Sequence, residues 1–133
     1  MTDEALLDLA KEAMTHAYAP YSGFQVGAAL LTKNGTVYQG CNIENAAYSP
    51  TNCAERTALF RAVYEGEREF AAIAVVGGRN GVPEEACPPC GVCRQALAEF
   101  CGPDFRILLE DGGTICCHTL GELLPCGFSS KNL

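Results

Sequence analysis

The length, composition and charge of the chain exclude several classes of protein. With 133 residues, 48% of them hydrophobic, the chain has the size of one domain with one real core, so we expect a single domain over residues 1–133. Sixteen acidic residues against nine Lys and Arg give a formal charge of −7, which disfavours nucleic acid and anionic membranes as partners.

The N-terminal segment and the cysteine count indicate a compartment. "MTDEALLDLAKEAM" is acidic and amphipathic and lacks the features of a signal peptide, so we expect a cytoplasmic protein. Nine cysteines are an odd number, and the cytoplasm is reducing. The cysteines are therefore better interpreted as thiols or metal ligands than as disulfides.

The first third of the chain predicts a helix and a hairpin. Apolar residues at helical spacing predict an amphipathic helix over about residues 3 to 17, ending before Pro20. "FQVGAALLT" and "TVYQGCNI" are strand-like, and Asn34-Gly35 between them is typical of a tight hairpin turn.

The middle of the chain predicts a second helix and a central strand. Ser49 and Pro50 read as an N-cap and first-turn pair, so a helix is expected to start there and run towards Tyr64. "FAAIAVVGG" is a nearly continuous apolar run, which is typical of a strand covered on both faces.

The last third predicts a helix, two strands and a short final helix. Pro89 is expected to open a helix carrying "CGVCRQALAEFC", followed by the strands "FRILLE" and "TICCHT" around an Asp-Gly-Gly turn. Thr119 and Glu122 have capping-box spacing. This alternation of short elements predicts a compact α/β fold.

Three cysteines at the starts of the two later helices predict a metal site. Cys90 and Cys93 are three residues apart and share a helix face, and Cys53 in "NCAERTA" holds the equivalent place on the other helix. Helix N-termini lower the pKa of nearby thiols and favour thiolates. We therefore predict one zinc ion per chain, with a fourth position left for water. Glu55 lies beside a ligand with a carboxylate free to move protons.

With these residues in view, the sequence resembles the small homotetrameric, zinc-dependent cytidine deaminases. The resemblance rests on "CAE", "PCGVCRQ", "PYSGFQVGAAL", "GCNIENAAYS" and "LLPCGF", which together cover most of the chain. The wider zinc deaminase signature is a known pattern. The resemblance implies a three-layer α/β sandwich with a mixed sheet of about five strands, and a tetramer.

The resemblance also implies a reaction and a role for each site residue. Cytidine or deoxycytidine is hydrolysed at C4 to uridine or deoxyuridine and ammonia, a step of pyrimidine salvage. The residues implied are the ligands Cys53, Cys90 and Cys93, the proton carrier Glu55, the nucleoside contacts Phe24, Asn42 and Glu44, and Phe128, which reaches a neighbouring subunit's pocket. Arg56 can donate to thiolate sulfur and offset the excess negative charge of three thiolates, and the resemblance gives it the same role.

Each assignment has a simpler alternative. A C-x-x-C pair alone is typical of a structural zinc site or a redox pair, and Cys87 extends it to a run that resembles an iron–sulfur motif. The next cysteine, Cys101, is too far along the chain for the usual spacing of that motif. We therefore interpret Cys87 as a residue outside the site, together with the remaining cysteines Cys41, Cys101, Cys116, Cys117 and Cys126.

Alternatives also remain for the substrate-side residues and for the function. Phe24 could be a core aromatic, Asn42 and Glu44 a solvated strand end, and Phe128 a residue packed on its own domain. The alternative functions are deamination of an antibiotic aminonucleoside and a non-enzymatic zinc or thiol module. Nucleotide and transfer-RNA deaminases usually offer histidine as the first ligand and a basic surface, and this chain has neither.

Overall fold

A five-stranded mixed sheet forms the centre of the protein, as described by a computed structural model of all 133 residues. The elements in chain order are α1 (Asp3–Met14), β1 (Phe24–Thr32), β2 (Val37–Cys41), α2 (Ala54–Tyr64), β3 (Phe70–Arg79), α3 (Gly91–Ala98), β4 (Arg106–Asp111), β5 (Thr114–Thr119), α4 (Leu120–Leu123) and a 3₁₀ turn (Ser130–Asn132). The strand order is β2-β1-β3-β4-β5. Only β3 and β4 are parallel, and α3 lies in the connection between them.

The sheet separates two hydrophobic cores, which makes the fold a three-layer sandwich. Because side chains alternate along a strand, Ala72, Ala74 and Val76 of β3 face α1. Ile73 and Val75 face the opposite core with α2 and α3. A strand buried on both faces needs a continuous apolar sequence, which explains the composition of β3.

Gly40 of β2 allows α2 to lie very close to the sheet. A Cβ atom at this position would lie 2.4 Å from the backbone nitrogen of Ala58 and 2.5 Å from the carbonyl oxygen of Ala54. Both atoms belong to the helix backbone and cannot move aside. The absence of a side chain at Gly40 therefore fixes the depth of the first half of α2, where Glu55 and Arg56 lie.

Several sequence predictions are confirmed. The hairpin joins β1 and β2 around Asn34-Gly35, and β3 is the middle strand of the sheet. The side chain of Thr119 accepts a hydrogen bond from the backbone of Glu122, and the Glu122 carboxylate accepts one from the Thr119 backbone, so the capping box opens α4. The three-layer α/β architecture with five strands is also as expected.

The predicted start of α2 is wrong. Ser49 and Pro50 lie in a turn, and the helix begins at Ala54. The reason is a tertiary contact, since Ile43 and Asn52 exchange two backbone hydrogen bonds of 2.9 Å that hold the chain extended up to Cys53.

The other boundary errors are smaller. Helix α1 ends at Met14 rather than residue 17, and β2 is shorter than the predicted strand at both ends. Helix α3 begins at Gly91, two residues after Pro89, and ends at Ala98. None of the helices combines the length and the apolar composition needed to cross a bilayer.

The start of β1 and the ends of β2 and β3 lie together at one end of the sheet. Phe24, the first residue of β1, pairs with Arg79, the last residue of β3. Cys41 at the end of β2 pairs with Gly27 near the start of β1. The chain then continues from β2 into Asn42 and from β3 towards Cys90, so both segments leave the sheet at this end.

Candidate metal centre and active site

Cys53 and Cys90 occupy the same structural position at the starts of α2 and α3. Both are N-cap residues with extended backbone angles, and neither side chain makes a capping hydrogen bond. An N-cap is usually Ser, Thr, Asp or Asn, whose oxygen satisfies a free backbone N–H and stabilises the helix by about 0.5–2 kcal/mol relative to Ala. Two helices that use cysteine here lack that contact, and neither sulfur is occupied by the backbone of its own helix.

The three predicted cysteines come together with the spacing of a zinc site. The sulfur of Cys90 lies 3.7 Å from that of Cys53 and 3.6 Å from that of Cys93, and all three lie within 4.8 Å of one another. Zinc–sulfur bonds of about 2.3 Å in a tetrahedron place two sulfurs about 3.8 Å apart. The donor set and its spacing therefore fit one zinc ion with three protein ligands.

Hydrogen bonds from neighbouring groups favour the thiolate form of Cys53. The Cys93 thiol and the Arg56 guanidinium, which face its sulfur, lower the pKa of Cys53 to about 5. Arg56 donates a hydrogen bond of 3.3 Å from Nη2 to this sulfur. Its Nε is buried without a hydrogen-bond partner. Pointing the guanidinium at the cluster therefore costs the free energy of one unsatisfied buried N–H donor.

Glu55 is a buried carboxyl group beside the cluster. It lies in the first turn of α2, two residues after Cys53, and is only 4% exposed. Burial raises the pKa of Glu55 to about 7, and the nearby Cys53 thiolate acts in the same direction. The site thus combines three metal-binding sulfurs with one carboxyl group that can exchange a proton.

Phe24 lies at the start of β1, on the sheet face that carries α2 and α3. Its ring occupies the space left by Gly77 on β3, where a Cβ atom would be 2.8 Å from Cε2. The Arg79 guanidinium carbon lies 5.6 Å from the ring centroid. Phe24 is only partly buried, so it is not a closed core aromatic.

Asn42 directly follows β2 and is bound to the backbone of β1. Its Nδ2 donates to the carbonyl of Phe24 at 2.9 Å, and its Oδ1 accepts from the backbone N–H of Val26 at 2.8 Å. Asn42 is 9% exposed, and these bonds account for one of its two N–H donors. Asn42 therefore fixes the backbone of the segment that carries Phe24, and one N–H of its side-chain amide remains available to a ligand.

Glu44 organises the loop before β1. Its Oε1 accepts the backbone N–H groups of Tyr21 and Ser22 at 2.9 and 3.1 Å, and its Oε2 accepts the Ser22 hydroxyl. These bonds, first the one from the Ser22 hydroxyl, hold the pKa of Glu44 below its ordinary value. The contribution of Tyr21 and Ser22 was missed in the sequence, where "PYS" lies 22 residues away without a spacing signal.

Phe128 lies on the C-terminal segment, apart from the residues just described. The residue is 56% exposed, so its own chain covers part of it and the rest is open. Its carbonyl oxygen accepts a hydrogen bond of 2.7 Å from Nε2 of Gln95 on α3.

The remaining cysteines are outside the metal cluster. Cys87 is excluded from the group of converging sulfurs, and burial raises its pKa to about 11. Its sulfur lies beside Gly77 and the ring of Phe24. The iron–sulfur alternative therefore lacks its fourth ligand, and all nine cysteines are free of disulfides.

Comparison with known proteins agrees with this geometry. The chain matches the cytidine and deoxycytidylate deaminase zinc-binding region over residues 1–108. The chain belongs to this deaminase family. It is 51% identical to a cytidine deaminase of Sporosarcina psychrophila, an alignment covering 100% of this chain and 96% of that protein. The crystal structure of a Burkholderia pseudomallei cytidine deaminase superimposes with a TM-score of 0.89 at 50% identity, covering 96% of this chain and 100% of the other. A blasticidin-S deaminase of Bacillus cereus is more distant, at 32% identity over 96% of this chain and 92% of its own length.

Proposed function

We propose that the protein is a zinc-dependent hydrolase that converts cytidine and deoxycytidine to uridine and deoxyuridine with release of ammonia. The observation that carries the proposal is the set of three sulfurs at tetrahedral spacing beside the buried carboxyl of Glu55. The identity to a full-length cytidine deaminase supports the same reaction. Residues 1–133 would form one catalytic domain.

Cys53, Cys90 and Cys93 would hold the zinc ion. Bound zinc supplies Lewis acidity that makes water a stronger nucleophile near neutral pH. Three thiolates around a divalent ion leave a net charge of −1, and the Arg56 hydrogen bond to Cys53 removes part of that excess. The alternative of a closed structural site is disfavoured because only three ligands converge.

Glu55 would carry protons between water and the pyrimidine. Hydrolysis of the C4 amino group needs a proton delivered to N3 and a second one to the departing amine. A single carboxyl group serves both transfers if it alternates between its neutral and charged forms. Burial of Glu55 supports this role, since a carboxyl shielded from bulk water exchanges its proton with the substrate rather than with solvent.

Phe24, Asn42 and Glu44 would bind the nucleoside. Phe24 offers a partly exposed aromatic face for the base. Asn42 keeps one N–H donor and Glu44 keeps acceptor capacity after their bonds to the backbone, and a donor with an acceptor suits sugar hydroxyl groups. A carboxylate at this position repels phosphate, which favours an unphosphorylated nucleoside.

We also propose a homotetramer whose sites are completed by Phe128 of a neighbouring subunit. Large apolar side chains that are more than half exposed support an assembly, among them Phe60 and Tyr64, which are neighbours on α2, and Tyr48 and Phe128. The negative net charge argues against nucleic acid and anionic membranes as partners. A cytoplasmic enzyme of pyrimidine salvage fits these features.

An absorbance assay with cytidine, deoxycytidine, cytidine 5′-monophosphate, free cytosine and blasticidin S tests the reaction. Turnover of the two nucleosides with little use of the other three is the expected result. Preferential turnover of blasticidin S would replace the proposal with the antibiotic alternative. A zinc-loaded protein inactive on all five would support a non-enzymatic module. Light scattering after size-exclusion chromatography tests the assembly, and a monomer would overturn the tetramer.

A further inference from the structure

Two neighbouring residues of α3 hold the C-terminal segment at both of its ends. Arg94 donates from Nη1 to the carbonyl of Leu123, at the end of α4, at 2.7 Å. Gln95 donates from Nε2 to the carbonyl of Phe128, also at 2.7 Å. The bonded carbonyls enclose residues 124–127, and the two donors belong to the same helix turn as the metal-site residue Cys93.

Within the enclosed segment Leu124 packs against the core, whereas residues 125–127 are exposed. No other side chain donates to or accepts from residues 125–128. Cys126 has a φ of 55°, in the left-handed region that residues other than glycine rarely adopt. Such a conformation persists only where surrounding contacts fix it. The two hydrogen bonds from α3 supply contacts of this kind.

We propose that Gln95, with Arg94 as the second anchor, is a positioning residue that aims the ring of Phe128. The inference rests on the proposed role of Phe128 in nucleoside binding and assigns the side chain that makes this role possible. Phe128 is 56% exposed, so packing within its own chain covers less than half of the residue. The backbone bond from Gln95 fixes the point from which the ring projects.

Gln95 is the better of the two residues to test. Arg94 also donates from Nε to the carbonyl of Pro89 at 2.7 Å, directly before Cys90, so its replacement would disturb the metal site as well. Gln95 has no such second bond. Gln95→Glu keeps the shape of the side chain but removes the N–H donor. Gln95→Ala removes the donor and most of the side chain. Gln95→Lys has a different shape but retains an N–H donor.

The experiment measures KM and kcat for cytidine, zinc content, and hydrogen exchange of the C-terminal peptide in the full-length protein. We expect Gln95→Glu and Gln95→Ala to raise KM about 2- to 10-fold, the range of one hydrogen bond, with little change in kcat. Zinc content should stay at the wild-type level, exchange in residues 124–128 should become faster, and Gln95→Lys should restore part of the loss.

A double-variant cycle separates this inference from the role of Phe128. If Gln95 acts through Phe128, Gln95→Glu should add no further increase in KM to Phe128→Ala. An additive increase, or an unchanged KM in Gln95→Glu while Phe128→Ala is impaired, would overturn the positioning role alone. An unchanged KM in Phe128→Ala would overturn the role of Phe128 and the inference with it.

Discussion

The metal end of the site and the nucleoside end are built in different ways. At the metal end, Cys53, Cys90 and Cys93 project from two helix starts with no hydrogen bond to the backbone that would occupy the sulfurs. At the nucleoside end, Asn42 and Glu44 each bind backbone groups of the segment around β1 and have only part of their hydrogen-bonding capacity left. At the metal end the side chains are left for an external ligand, whereas at the nucleoside end the side chains bind the protein's own backbone.

This difference predicts how each end responds to substitution. Removing a metal ligand removes the ion that would join the starts of α2 and α3, so we expect a large effect on turnover together with a loss of stability. Removing a nucleoside-end side chain also releases backbone structure, so its effect should be smaller but should include stability. The following substitutions test this contrast, from the largest expected effect to the smallest.

Replacing a ligand should abolish metal binding. Cys53→Ala, Cys90→Ala or Cys93→Ala leaves two sulfurs at the cluster, and we expect elemental analysis to fall from one zinc per chain to a small fraction of it, with loss of activity. Cys87→Ala is the matched control and should keep its zinc, because its sulfur is outside the cluster. Loss of zinc from Cys87→Ala would show that the ligand assignment is wrong.

Glu55→Gln should separate metal binding from turnover. The amide preserves the shape of the side chain but cannot transfer a proton, so we expect kcat to fall about 100- to 10,000-fold while the zinc content is unchanged. Glu65→Gln at the end of the same helix should have near-normal turnover. Substantial activity in a zinc-loaded Glu55→Gln protein would exclude Glu55 as the proton carrier.

Arg56→Gln should weaken zinc binding without removing it. The substitution deletes the charged donor to the Cys53 sulfur, and the loss of such an outer contact typically lowers metal affinity or activity about 10- to 100-fold. Competition with a chromogenic chelator measures the change. Arg61→Gln on the same helix, whose side chain makes no hydrogen bond or ion pair, should bind zinc as the wild type does.

Glu44→Gln should change the pH dependence of stability. The folded pKa of Glu44 lies below its ordinary value of 4.5, so the carboxylate contributes stability above that value and loses it as the pH falls through the folded pKa. The free energy of unfolding of Glu44→Gln should therefore decrease less than that of the wild type between about pH 6 and about pH 3. Glu85→Gln, at an exposed site without hydrogen bonds, serves as the control. Parallel curves for Glu44→Gln and wild type would contradict the prediction.

The sequence allowed the metal end to be predicted more fully than the nucleoside end. Cys90 and Cys93 are linked by local spacing, and Cys53 was placed near the start of the preceding helix although the predicted first residue of that helix was wrong. The bonds of Glu44 to Tyr21 and Ser22, and of Gln95 to Phe128, join segments more than 20 residues apart. Such contacts depend on where loops meet in the fold, and single-sequence patterns do not report that.

The start of α2 illustrates the same limit within the fold. Ser49-Pro50 has the local chemistry of a helix start, yet the helix begins at Ala54 because the bridge between Ile43 and Asn52 keeps the chain extended. The hairpin around Asn34-Gly35 was predictable because its turn residues and its flanking strands are adjacent in sequence. A local sequence signal predicted the structure correctly at the hairpin, where no distant contact opposed it. At Ser49-Pro50 a contact with another segment overrode the local signal.

The uneven spacing of the three sulfurs along the chain has a consequence for how the protein matures. Cys90 and Cys93 are three residues apart, so a nearly unstructured chain can already bring them together, whereas Cys53 is 37 residues from Cys90. That closure carries a loop entropy that is offset only after β3 and α3 have taken their places. All three sulfurs converge only when the starts of α2 and α3 have met, so complete coordination of one ion requires the folded chain.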